Sequence, residues 1–97
     1  MHQIIFSPEV VPNFLGSKVI DIEDKNILSL NWHDIFTILN GKYNIPKDKI
    51  VIKKNTGTYV DYKNINLSEK FPFDKYCYYD LHGNPQKSYL IKFDFKS

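Results

Sequence analysis

The order of secondary structure is most readable in residues 31–81, which open with NWHDIFTILNGKYNIPKDKIVIK over residues 31–53. An apolar stripe recurs there at the i, i+3, i+4, i+7 spacing of one helical face, and it consists of Trp32, Ile35, Phe36 and Leu39. Asn31 can cap the first turn, and Gly41 suits the left-handed position that closes a helix. The stretch therefore predicts an amphipathic helix from Asn31 to Gly41 that packs its stripe on a sheet.

Alternation of apolar and polar residues on both sides of this helix predicts strands. The predicted strands cover His2 to Ser7, Lys18 to Glu23, Lys49 to Lys53, Thr58 to Tyr62, Lys75 to Leu81 and Ser88 to Phe95. With 97 residues the chain fits a single domain over residues 1–97. The pattern predicts an α+β fold, in which a mostly antiparallel sheet of four to six strands packs on one helix.

Part of this pattern resembles the ubiquitin-like β-grasp superfold, in which two strands lead into a helix and further strands follow. The resemblance covers about half of the chain, and its matching positions are Ile35, Leu39, Ile45-Pro46-Lys47-Asp48, Ile50-Val51-Ile52 and Ile65-Asn66-Leu67-Ser68. Conjugating members end in a diglycine, whereas this sequence ends in Phe95-Lys96-Ser97, so no tail chemistry is implied. The Pro8–Ser17 connection is also longer than a tight hairpin. What the resemblance implies is a β-grasp-like binding scaffold.

Composition narrows the classes of function. The chain has no arginine, and lysine cannot form the planar fork that grips guanine edges, so sequence-specific DNA reading is disfavoured. The abundance of Asn, Ile, Lys, Tyr and Phe is typical of an AT-rich genome. Cys77 is the single cysteine, which fits a reducing, cytoplasmic location. No run approaches the roughly 20 apolar residues of a membrane span, so no membrane association is expected.

Charge is unevenly distributed along the chain. Residues 1–41 carry two lysines and five acids, a net charge of −3, whereas residues 42–97 carry eleven lysines and six acids, a net charge of +5. The densest basic cluster is Lys42, Lys47, Lys49, Lys53 and Lys54. One interpretation is a solvated strand edge, because exposed lysines prevent edge-to-edge aggregation. The other is electrostatic docking to an acidic protein surface or to a nucleic-acid backbone.

Tyrosines and an apolar loop supply the other candidate contacts. The predicted strands carry Tyr59, Tyr62, Tyr76 and Tyr78, which suit a protein interface or, beside lysines, the stacking of single-stranded bases. Cross-strand aromatic packing is the alternative interpretation for at least half of the strand tyrosines. The loop from Pro8 to Ser17 carries Val10, Val11, Phe14 and Leu15, which would form either a lid over the core or a protruding contact.

Groups that catalysis or metal binding would need are sparse. The histidines His2, His33 and His82 stand at no spacing typical of metal ligands, and the glycines are scattered singly. Strand alternation places Cys77 with Tyr79 and Leu81 on one face and predicts a buried, inert thiol. His33 is expected to be a solvated helix residue. We therefore expect no enzymatic activity, no cofactor and no metal.

These observations lead to two hypotheses of function. The first is a small non-enzymatic protein-interaction module, encoded by a phage or mobile element, that inhibits a host protein. The alternative is a single-stranded nucleic-acid-binding protein that uses the lysine patch and the sheet tyrosines. A third interpretation, an enzyme acting through Cys77 or His33, predicts that the native thiol reacts with alkylating reagents. The sequence does not indicate an oligomeric state.

Overall fold

A computed structural model gives the fold and describes residues 1–9 and 16–96. Six strands and two helices occur in those ranges. In chain order they are β1 (His2–Pro8), β2 (Lys18–Ile22), α1 (Asp24–Ile27), α2 (Trp32–Tyr43), β3 (Ile50–Lys53), β4 (Tyr59–Asp61), β5 (Cys77–Tyr79) and β6 (Pro85–Phe95). Short 3-10 turns cover Lys47–Lys49, Tyr62–Asn64 and Phe73–Lys75. None of the described helices is long and apolar enough to cross a membrane.

All six described strands belong to one open, mixed sheet. Its order is β2-β1-β6-β3-β4, and β5 adds a further pairing with β6. The pairing of β1 with β6 is parallel, whereas β1–β2, β3–β4, β3–β6 and β5–β6 are antiparallel. The α+β class is confirmed, with α2 as the main helix on one face.

Strand β6 pairs with two strands, β3 and β5, along the same edge, and the candidate site lies between these two strands. Near its C-terminal end Phe93 pairs with Ile52 of β3, and near its N-terminal end Tyr89 pairs with Cys77 of β5. The register between Cys77 and Tyr79 is irregular, so β5 diverges from a regular ladder. A notch is left between the end of β3 and the start of β5.

The core confirms the predicted helical stripe. Trp32, Ile35, Phe36 and Leu39 are all buried, and they belong to one apolar cluster with Ile4, Phe6, Ile50, Ile52, Ile91 and Phe93. Asn31 caps the helix as predicted, because its side chain accepts the Asp34 N–H at 2.9 Å. The Asp34 carboxylate accepts the Asn31 N–H at the same distance, which completes a capping box. The predicted alternation is also confirmed in β3 and β6, where Ile50, Ile52, Ile91 and Phe93 are buried.

The predicted end of the helix at Gly41 is wrong. Helix α2 continues through Gly41 to Tyr43, and Asn44 adopts the left-handed conformation, with φ of 56°. The extra residues bury the Tyr43 ring, whose hydroxyl donates to the Gly16 carbonyl at 2.9 Å. Asn tolerates a positive φ better than most residues, so the helix does not need glycine at this position.

The predicted strand from Lys75 to Leu81 is also wrong at both ends, because β5 covers only Cys77–Tyr79. Residues before it form a 3-10 turn, and Asp80 starts the connection to β6. Tyr79 and Leu81, which the alternation paired with Cys77 on a buried face, are exposed. Strand β6 begins at Pro85, three residues before the predicted Ser88. The hairpin is thus longer on its second strand than the pattern indicated.

Candidate binding surface

The candidate site is the notch between β5 and the turn that joins β3 to β4. Its cavity volume is about 340 Å³, and four lysines line it, namely Lys53, Lys54, Lys75 and Lys92. Tyr76, Tyr78 and Leu90 supply an aromatic and apolar lining. Among the described residues that line the notch, none is acidic. The arrangement combines apolar contact area with concentrated positive charge.

Tyr76 holds the two sides of the notch together. Its hydroxyl donates to the Lys53 carbonyl at 3.2 Å, and its ring packs on Phe71 with the ring centres 4.8 Å apart. Burial raises the pKa of Tyr76 to about 12, so the hydroxyl stays protonated and able to donate at neutral pH. The position of β5 relative to the end of β3 is therefore fixed by a side chain, even though the two strands do not pair directly.

Glu9 joins the charges on the sheet face opposite α2. Its carboxylate accepts the Tyr59 hydroxyl at 2.6 Å and lies 3.4 Å from the Lys53 Nζ and 3.9 Å from the Lys92 Nζ. The Tyr59 hydrogen bond is the main cause of a lowered pKa for Glu9, and the same bond raises the pKa of Tyr59 to about 12. One carboxylate thus partly neutralises two of the lysines in the notch.

Lys54 and Lys75 stand on opposite sides of the notch. Both are exposed, and neither forms an ion pair with any of residues 1–9 and 16–96. Lys54 opens a tight turn in which its N–H donates to the Thr58 carbonyl at 2.7 Å. Gly57 is in the left-handed region, with φ of 93°, which this turn requires. The turn therefore places Lys54 across the notch from Lys75.

The predicted lysine cluster is divided by β3. Lys53 and Lys54 lie at the notch, whereas Lys47 and Lys49 lie in the 3-10 turn before β3, and Lys42 is in the last turn of α2. Lys49 and Lys53 are four residue steps apart along an extended chain, a distance of about 13 Å. Because the sheet brings Lys75 and Lys92 to Lys53 and Lys54, the basic surface includes two residues that the sequence did not indicate.

The four predicted contact tyrosines also divide into two groups. Tyr59 and Tyr78 are exposed, on β4 and β5. Tyr62 and Tyr76 are half-buried, and the Tyr62 ring packs edge-on against Phe36 of α2 at 5.2 Å between ring centres. Tyr62 and Tyr76 therefore contribute to packing, and Tyr78 is the exposed tyrosine that lines the notch.

The turn before β6 is signalled by His82-Gly83-Asn84-Pro85, but sequence reasoning placed Leu81 in the preceding strand and missed its exposure at the tip of the β5–β6 hairpin. Leu81 is fully exposed there, and the neighbouring Tyr79 is 57% exposed. The Asp80 carboxylate accepts the N–H groups of His82 and Asn84, each at 2.9 Å, and Gly83 has a φ of 79°. These hydrogen bonds lower the pKa of Asp80, and the bond from the Asn84 N–H has the largest effect. The spacing of Asp80, Gly83 and Asn84 is a turn signal that could have marked Leu81 as a tip residue.

The residues considered for catalysis belong to different elements: Cys77 is in β5 and lines the notch, His33 is in α2, and His82 is in the turn before β6. Cys77 is half-buried, not buried as predicted, and its thiol donates to the Gln86 carbonyl at 2.9 Å. His33 is exposed on α2, as predicted, and His82 is exposed in the hairpin turn. Within the described ranges, no group of three or more His, Cys, Asp or Glu residues could hold a metal ion. The apolar residues Val10, Val11, Phe14 and Leu15 lie outside the described residues.

Comparison with known proteins adds no relative. No family model matches the chain, and no curated protein shows significant sequence similarity to it.

Proposed function

We propose that this protein is a small non-enzymatic interaction module that binds another protein through the β5–β6 hairpin and the adjoining notch. The observation that carries the proposal is that one short hairpin exposes three large side chains, Tyr78, Tyr79 and Leu81. Tyrosine combines contact area with a polar tip and is enriched in protein interfaces. A leucine held fully in water gains the whole of its burial energy on binding.

Preorganisation of the hairpin tip supports this proposal. The Asp80 carboxylate holds the turn by accepting two backbone N–H groups. Two backbone hydrogen bonds of 3.0 Å add to this, one from the Asp80 N–H to the Asn84 carbonyl and one from the Gly83 N–H to the Asp80 carbonyl. A loop that is already ordered loses little conformational entropy when a partner covers it. Leu81 is therefore well suited to enter an apolar pocket of the partner.

The proposal includes a mostly antiparallel, β-grasp-like scaffold. Support comes from the strand order β2-β1-β6-β3-β4, from the parallel pairing of the first and last strands, and from α2 lying between β2 and β3 in the chain. The hairpin formed by β5 and the start of β6 is an addition to that pattern. A phage or mobile-element origin, supported by an amino-acid composition typical of an AT-rich genome, and the inhibition of a host protein complete the proposal.

The test is capture of a partner with matched surface variants. Wild-type protein, Leu81→Ser and Leu28→Ser are immobilised and exposed to lysate of a low-GC bacterium, and bound proteins are quantified by mass spectrometry. Leu28 is the control because it is also a leucine in a short exposed segment, 75% exposed and directly after the end of α1. We expect one stoichiometric protein that wild type and Leu28→Ser retain and Leu81→Ser loses. Equal recovery by all three variants would contradict the proposal.

A second candidate function is the binding of single-stranded nucleic acid, favoured by the exposed Tyr78 beside Lys54 and Lys75. Such binding must weaken steeply as salt rises, because lysines that neutralise phosphates release counterions. The test is the affinity for a fluorescent oligothymidylate at two salt concentrations. No binding at low salt, or an affinity that salt leaves unchanged, would exclude this candidate.

A further inference from the structure

We infer that the notch binds a short acidic segment of the protein partner, with carboxylates on Lys54 and Lys75 and an apolar side chain against Leu90 and Tyr78. The inference rests on the proposed function and names the chemistry of the partner. Its basis is charge complementarity, because four lysines converge on a concave, partly apolar surface of about 340 Å³. Concave sites with such a lining are typical of ligand binding.

Lys54 and Lys75 determine which ligand fits the notch. Lys53 and Lys92 already face Glu9, at 3.4 and 3.9 Å. Lys54 and Lys75 lack an ion-pair partner in the described part of the chain, so their charge is available to a ligand. An extended peptide with acidic residues at i and i+4 and an apolar residue at i+2 presents all three side chains on one side. It can place a carboxylate near each lysine and the apolar side chain between them.

The surroundings of the notch favour a short acidic peptide over a nucleic acid. Glu9 adjoins Lys53 and Lys92, and Asp94 follows Lys92 by two residues on β6 and so lies on the same sheet face. A single-stranded nucleic acid carries a phosphate at every nucleotide, and these carboxylates would repel its phosphates where it extends beyond the notch. Stacking surfaces are also few, because the Tyr76 ring packs on Phe71 and its hydroxyl bonds to Lys53.

The experiment uses a fluorescein-labelled peptide with the repeat Glu-Ser-Leu-Ser, which puts Glu and Leu side chains on the same side of an extended chain. It also uses a peptide with Gln in place of Glu, and an oligothymidylate. Binding is measured by fluorescence anisotropy against wild type, Lys54→Gln/Lys75→Gln and Lys42→Gln/Lys49→Gln. The second double variant removes the same charge from two exposed lysines outside the notch, one in the last turn of α2 and one in the 3-10 turn before β3. One exposed ion pair changes affinity by a factor of about two to five. We therefore expect a loss of about 4- to 25-fold in the notch variant and less than about twofold in the control.

The backbone amide NMR signals of the protein that shift when the peptide is added show where the peptide binds. We expect shifted amide signals in residues 54–57, 77–78 and 90–92. The Gln peptide should bind about 4- to 25-fold more weakly than the Glu peptide, because it lacks the same two ion pairs. Equal losses in both double variants, equal binding of the Gln peptide, or no binding of the Glu peptide would each overturn it. Tighter, lysine-dependent binding of the oligothymidylate would overturn it in favour of a nucleic acid. If the peptide fails while Leu81→Ser still abolishes capture, the notch inference is wrong and the proposed function stands.

Discussion

The two halves of β6 have opposite environments. The C-terminal half lies between β1 and β3, and Ile91 and Phe93 are fully buried beneath α2. The N-terminal residues Pro85, Gln86 and Lys87 are exposed and precede the residues that pair with β1. A single strand thus supplies the centre of the core at one end and half of an exposed hairpin at the other. The buried core residues and the exposed residues of the proposed interface are therefore separated along one strand.

The largest expected effect concerns the buried half. Phe93→Ala removes a fully buried ring and should lower the free energy of unfolding by about 3–5 kcal/mol. That is a large part of the roughly 5–15 kcal/mol expected for a small domain. Leu81→Ala, in the exposed hairpin, should change it by less than about 0.5 kcal/mol. Urea unfolding measures both variants, and similar losses in the two would refute the division of β6.

An intermediate effect is expected at the Glu9 carboxylate, which lies beside Lys92 in the C-terminal half of β6. Tyr59→Phe removes the hydroxyl that donates to Glu9 at 2.6 Å and should cost about 1 kcal/mol at pH 7. The pKa of Glu9 is lowered in the folded state, so this stabilisation is present above the ordinary value of 4.5 and is lost as the pH falls through the folded pKa. The difference between wild type and variant should therefore shrink at about pH 3.

The matched control is Tyr78→Phe. The Tyr78 hydroxyl has no hydrogen-bond partner among the described residues, and its removal should have little effect on stability at either pH. Urea unfolding at both pH values gives the comparison. A cost for Tyr59→Phe that does not depend on pH would mean that Glu9 is not its partner.

The smallest expected effect is local to the hairpin tip. Asp80→Ala removes the acceptor of the His82 and Asn84 N–H groups and should make both amides exchange faster with solvent, while global stability changes little. Asp80→Asn keeps an acceptor oxygen and should retain most of the protection. In wild type, the shifts of both amides should titrate with a midpoint below 3.8, since the pKa of Asp80 is lowered. A midpoint at or above that value would show that the turn is not held by the carboxylate.

How far the sequence predicts this molecule differs between the two regions. The helical stripe and the alternation of β3 and β6 are local patterns set by burial, and the core confirms them. The hairpin was misread because alternation in residues 75–81 continues across the start of the turn, where Asp80 bonds redirect the chain. The notch depends on the pairing of distant residues. Lys75 and Lys92 meet Lys53 only through the register of β6, which no local pattern encodes.

The most direct test of the account is hydrogen exchange of the protein with its captured partner bound, read by mass spectrometry. The account predicts slower exchange in peptides that cover residues 54–57 and 77–90, with no change in residues 42–49. Protection confined to residues 42–49, or absent from residues 77–90, would contradict the assignment of recognition to the hairpin and notch.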